Sequence, residues 1–322
     1  MSQEEKNWYE SFIETLYKKY PKKHELVQEL MDLLYIEREA VYRRLRQDVI
    51  FTAHEMAKIA IAMNISLDEI ININSSTISF QMQKMNYINP SEEESNYLRK
   101  VIQGLYFYKN FPSTDFMDIC NKLPRQFLAG YQRLNQFYLF KSLYQYGTEK
   151  EVVPFSQVII SEEKSILTKE YYRAIKLIPS SSFIWDSNLF NNLITDIQYF
   201  CSIQMITAEE KELIKLELYE LLDYLLEIAN KGCYPETNNK VNFYISHLHV
   251  DTNYSYVYTP EVNICFIHVF EKYEIYSFNT EMAADFRAWM QLKKRSSIQI
   301  SEVDERSRIE YFAKQRKLID TL

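Results

Sequence analysis

EREAVYRRLR, residues 37–46, places four arginines in ten positions of a chain whose formal net charge is -7. The stretch follows the apolar run ELVQELMDLL (25–34) and the two-residue step Tyr35-Ile36. If Val41 and Leu45, at i and i+4, face a core, then at about 100° per residue Glu39, Arg43 and Arg46 point the opposite way, with Tyr42 on one flank and Arg38 in the first turn. The reading is a short helix with a fork of hydrogen-bond donors on its outward face.

Working outward, helical spacing of Trp8, Phe12, Leu16 and Tyr20 predicts a first helix that Pro21 ends, and His24–Leu34 a second. Downstream, Thr52 with Glu55 three residues on forms a capping box that opens TAHEMAKIAIAM (52–63), with Asn64 as its stop and Ser66 capping SLDEII.

MAKIAIAMNISLDEI (56–70) closes this set. Together with residues 25–71 it resembles the phage-repressor (Cro-like) helix-turn-helix transcription regulators, whose pattern is an apolar helix, a sharp turn, a recognition helix and a helix of this last kind. Met31 stands where that family has a small residue, and Tyr35 and Gln47 where it has glycines. The resemblance covers about 50 of the 322 residues. It implies double-stranded DNA as partner, a homodimer on paired half-sites, and residues 37–46 entering the major groove. The residues expected at the DNA are Arg38, Glu39, Tyr42, Arg43 and Arg46, with Lys22, Lys23 and Thr52 as further phosphate anchors; arginine pairs with the O6 and N7 of guanine. Residues 22–74 hold seven Lys or Arg against nine Asp or Glu, so the contact rests on local rather than summed charge. The competing reading is a solvated helix face of i,i+4 ion pairs, or a helix-turn-helix reused for protein contacts.

Residues 72–96 gather Asn and Ser and read as a linker or crossing segment. From 96 to 232 helices are expected over 96–111, 113–123, 126–144, 168–177 and 188–205. The best defined is 207–232, where Thr207 and Glu210 make a capping box and Gly232 closes the helix. Its broad leucine and isoleucine band predicts a core helix or part of a dimer contact. From Val241 the period changes to two, in VNFYISHLHV, YSYVYT, VNICFIHVF and YEIYSF, followed by helix 281–293, strand SSIQIS and helix 305–319. The basic run LKKRSS (292–297) reads as a solvated helix end that complements the helix dipole. The expected fold is therefore mainly α: a helix-turn-helix bundle over 1–74, a helical regulatory region over 75–240, and a small α+β module over 241–322.

Composition narrows the function. Four glycines in 322 residues, with no GxGxxG, GxxxxGK[ST] or GxSxG, argue against nucleotide-fold and hydrolase-fold enzymes. Cys120, Cys201, Cys233 and Cys265 are too dispersed for a zinc finger or disulfide framework and read as buried thiols. SHLHVD (246–251) resembles the HxHxD part of metallo-hydrolase sites, since His247, His249 and Asp251 would share a face on a strand, but it lacks the histidine that follows there. The aromatic residues of the middle region are core material. No catalytic residue, metal ligand set or cofactor is assigned. With no leader-like or membrane-spanning run, the expectation is a cytoplasmic, non-enzymatic transcription regulator, with an unidentified small-molecule or protein effector and no membrane partner.

Overall fold

The computed structural model describes residues 8–63, 65–71, 78–83, 92–150, 152–269 and 273–322. The chain forms two compact units, 1–79 and 80–322.

The first unit is helical among its described residues: α1 (Trp8–Lys19), α2 (Lys23–Leu34), α3 (Arg38–Leu45), α4 (Ala53–Met63) and α5 (Leu67–Ile71). The i, i+4 stripe of α1 puts Phe12 and Leu16 in a core with Leu26, Leu30, Val41, Leu45, Phe51, Ile59 and Ile70. Phe12 meets Phe51 edge-on at 6.1 Å between ring centroids, and the Tyr9 hydroxyl accepts the Phe51 N–H at 2.9 Å. The expected stop at Asn64 lies outside the described residues.

The second unit is built on a mixed sheet of eight described strands in the order β1-β7-β6-β5-β2-β3-β4-β8. These are β1 (Gln81–Gln83), β2 (Asp115–Cys120), β3 (Ser180–Asp186), β4 (Lys240–Ser246), β5 (Tyr254–Tyr258), β6 (Asn263–Val269), β7 (Tyr273–Ser277) and β8 (Ser297–Gln299). β2, β3 and β4 run parallel; the remaining pairs are antiparallel. The helices are α6 (Glu92–Tyr108), α7 (Arg125–Leu128), α8 (Gln132–Tyr146), α9 (Glu162–Ile175), α10 (Leu189–Ser202), α11 (Ala208–Lys231), α12 (Thr280–Arg295) and α13 (Glu305–Asp320). One sheet face, through Phe116, Phe183, Trp185 and Phe243, packs against α6 to α11 and α13. The other, through Met117, Ile119, Ile184 and Tyr256, packs against Phe286 and Met290 of α12.

This corrects the mainly-α expectation. The strands after residue 240 are not a separate small module, because β4 pairs with β3 and β5 with β2, in one sheet with strands from the middle of the chain. The expected helix 113–123 is strand β2, and β3 lies where no strand is expected. Both are central parallel strands covered on two faces, so they lack the polar-apolar alternation by which a half-exposed strand is recognised. The expected helix 126–144 divides into α7 and α8 at Gly130-Tyr131. Of the segment 72–96, residues 72–77 and 84–91 lie outside the described residues, while 81–83 form β1 against β7.

The 24-residue α11 has both halves of the Thr207–Glu210 capping box, and Gly232 ends it at φ 66°. Ile214, Leu218, Leu221, Leu222, Leu225 and Ile228 are buried, which makes α11 a core helix; Leu213 and Leu216 at its outer side are exposed. All four cysteines are free thiols: Cys120 and Cys265 are buried, Cys201 and Cys233 half-buried. Among the described residues no helix is long and apolar enough to cross a membrane.

Candidate nucleic-acid interface

The turn from α2 to α3 is made at Tyr35, which takes a left-handed conformation (φ 55°, ψ 43°) and donates its N–H to the Met31 carbonyl at 2.9 Å. An αL residue after the last helical turn reverses the chain sharply and satisfies a helix-end carbonyl. Glu37 then adopts extended geometry (φ -72°, ψ 154°) and starts α3. A second left-handed residue, Gln47 at φ 67°, ends the segment, and the Asp48 N–H caps the Arg43 carbonyl at 2.9 Å. Both positions are those where the resembled family has glycine. Here the turn is made by residues carrying a Cβ, at some strain, with the Tyr35 ring exposed. Met31, the third departure, packs half-buried against the core.

The faces of α3 separate cleanly. Val41 and Leu45 are buried at 0% and 4% exposure, whereas Arg38, Glu39, Arg43 and Arg46 are exposed and Tyr42 is half-buried. The four arginines have three different surroundings. Arg44 turns inward: its Nη2 and Nε reach Glu55 Oε1 and Oε2 at 2.8 and 3.3 Å, its Nη1 donates to the Ala40 carbonyl, and its guanidinium lies 5.9 Å from the centre of the Phe51 ring. Arg46 pairs on the surface with Glu39 at 3.0 Å and Asp48 at 3.1 Å. Arg38 and Arg43 make no ion pair among the described residues. None of the i,i+4 pairs of the competing reading forms on this helix.

The weaker candidates are placed around it. Lys22 pairs with Glu25 at 2.9 Å, and Lys23 Nζ sits 5.5 Å from the centre of the Tyr42 ring, which brings α2's start beside α3. Thr52 is the N-cap of α4: its hydroxyl accepts the Glu55 N–H at 3.2 Å and its own N–H donates to Glu55 Oε2 at 2.7 Å. Burial alone would raise the Glu55 carboxyl; the Thr52 N–H bond and Arg44 more than offset it and hold the group below the ordinary carboxylate range.

Glu55 is the positioning residue that sequence reasoning saw only as a cap. It closes the N-terminus of α4 and, by the same carboxylate, clamps α3 through Arg44. Spacing sets Arg44, three residues after Val41, on the flank between the two faces of α3, and its inward turn is decided by the Glu55 partner.

The SHLHVD stretch does not form the shared strand face expected of it. β4 ends at Ser246, and residues 247–253 form a loop. There His249 Nδ1 meets Asp186 Oδ2 at 2.9 Å, while Asp251 Oδ1 accepts the Tyr254 hydroxyl at 3.0 Å. Among the described residues no group of three or more His, Cys, Asp or Glu is arranged to hold a metal ion.

Compared with known proteins, this chain matches no protein-family model, no curated protein sequence and no solved structure.

Proposed function

We propose that this chain is a DNA-binding transcription regulator of the cytoplasm, acting as a homodimer, in which α3 enters the major groove and residues 80–322 serve sensing or oligomerisation. The observation that carries the proposal is the sorting of the arginines. Arg44 is spent inside, fixing α3 against α4, while Arg43 projects from the outward face and Arg38 is exposed in the first turn, neither with an acid partner among the described residues. A fixed helix with unpaired guanidinium groups fits guanine edges and backbone phosphates. The Arg46–Glu39 pair is an exposed one that a phosphate can displace at little cost. Lys22, Lys23 and Thr52 stand where they can hold the flanking backbone.

The rival reading, a helix-turn-helix that docks on a protein, draws on the exposed Tyr35, Ile50 and Ile61 of the same unit. Retention of the full chain on genomic DNA separates the two. Release by modest salt, together with loss of retention on Arg43→Ala, supports groove contact. Salt-insensitive partner capture without DNA retention overturns it.

A further inference from the structure

The run LKKRSS does not behave as a wholly solvated helix end. Lys294, in the last turn of α12, turns onto the sheet, where its Nζ donates to Ser182 Oγ at 3.2 Å and lies 5.2 Å from the centre of the Tyr244 ring. Two turns earlier, the Arg287 guanidinium lies over the Tyr258 ring, 4.4 Å from its centre. Between them the register aligns Tyr258, Asp115, Ser180 and Lys240 across β5, β2, β3 and β4, with Ser182 and Asn242 one pleat further in. On the same sheet face the next residues along the strands, Met117 and Ile184, are apolar and covered by α12. A polar strip therefore interrupts an otherwise apolar surface.

The strip has buried polar groups and a charge. Ser182 and Asn242 are 1% and 8% exposed, and Asn242 Nδ2 also reaches Ser182 Oγ, at 3.5 Å. Lys240, Arg287 and Lys294 bring three cations against one carboxylate, Asp115, in a chain of net charge -7. Among the described residues neither Lys294 nor Arg287 has an ion-pair partner. Burial, with Lys240 and Arg287 acting in the same direction and Asp115 opposing, lowers the Lys294 pKa. A half-buried ammonium whose bonded partner is a neutral hydroxyl is costly unless an anion completes it.

We infer that this strip is a binding site for a small oxyanion ligand, a phosphate- or carboxylate-bearing molecule held by Lys294 and Arg287 beside Ser182. The Ser182 oxygen accepts from Lys294, leaving its O–H to donate to an oxyanion. The Arg287 guanidinium, held over the Tyr258 ring, offers a fork of donors to the same oxyanion. The site stands on residues 80–322 alone and does not depend on α3 contacting DNA; if both hold, the strip is where an effector acts.

The test is thermal unfolding of the full chain in inorganic phosphate or in citrate, each against sodium chloride of equal ionic strength. At about ten times Kd either anion should raise Tm by about 3 °C or more; response to phosphate alone or citrate alone identifies which oxyanion is preferred. Lys294→Met should abolish the rise and Arg287→Gln should weaken it. In chloride, Lys294→Met should melt no lower than the parent, since it removes a half-buried ammonium that has no ion pair; the Arg287→Gln chain provides the same comparison at a more peripheral position. An equal response to chloride, or an undiminished response in both variants, overturns the site. Loss of DNA retention in Lys294→Met overturns it as well, assigning the strip to nucleic-acid phosphate. The DNA proposal fails separately, through Arg43→Ala.

Discussion

Arg44 and Glu55 join α3 to α4 through two hydrogen bonds, 2.8 and 3.3 Å, with both side chains largely withdrawn from solvent at 17% and 14% exposure. The same carboxylate completes the capping box with Thr52. Glu55→Ala therefore removes a cap and strands a half-buried guanidinium, at a combined cost of about 2 kcal/mol to the first unit. Hydrogen exchange at the Val41 and Leu45 amides reads this locally. Protection unchanged from the parent would show that the pair contributes nothing.

Arg43 and Arg44 are neighbours with opposite fates. Arg43→Ala should leave the exchange protection of α3 intact and weaken DNA retention about tenfold or more, while Arg44→Ala should lower protection first. If Arg43 holds a phosphate, the slope of log K against log salt should fall by about 0.9. Equal loss of protection in both variants would contradict the inward and outward assignment.

Tyr35 and Gln47 occupy left-handed conformations without the freedom of glycine. Tyr35→Gly should relieve strain of about 1 to 2 kcal/mol, partly offset by about 0.5 to 1 kcal/mol of added freedom in the unfolded chain. The expected outcome is a small net stabilisation of the first unit, seen as a higher urea midpoint for loss of α3 protection. A destabilised variant would mean that the exposed tyrosine ring makes contacts that outweigh its backbone.

Asp186, at the end of β3, accepts the Asn188 N–H at 2.8 Å, the Val250 N–H at 3.0 Å and a bond from His249. Burial pushes its carboxyl up, but these bonds prevail and hold it below the ordinary aspartate value. Because the folded pKa is the lower one, the stabilisation is complete above the unfolded value of about 3.9 and disappears as pH falls through the folded value. Unfolding free energy of the second unit followed from pH 6 downward should therefore decline below about pH 4 in the parent, and less steeply in Asp186→Asn. Identical slopes would remove Asp186 from the account.

Gly232 ends α11 at φ 66°, with the Glu302 side chain where a Cβ would stand. Gly232→Ala should cost about 1 kcal/mol from the backbone alone and more from the crowding. A lowered Tm that Glu302→Ala partly restores would separate the two contributions; an unshifted Tm would show that the cap tolerates a side chain.

Local chemistry was enough for the first unit. Helix period, the Thr52–Glu55 box, the stop at Pro21 and the inward Val41 and Leu45 are all short-range, and α1 to α5 follow from them. The same holds for α11, whose cap, apolar band and terminal glycine lie within one segment, and for β5, β6 and β7, short β-branched and aromatic runs set between turn-forming residues. Tertiary structure decided β2 and β3: strands sandwiched between two helical layers carry no alternation, and only pairing with β4 and β5 distinguishes them from helix. It likewise decided where charged side chains point. Arg43 and Arg44, or Lys293 and Lys294, are equivalent in composition, and the packing partner, Glu55 in one case and the β3–β4 surface in the other, settles which of each pair is drawn inward.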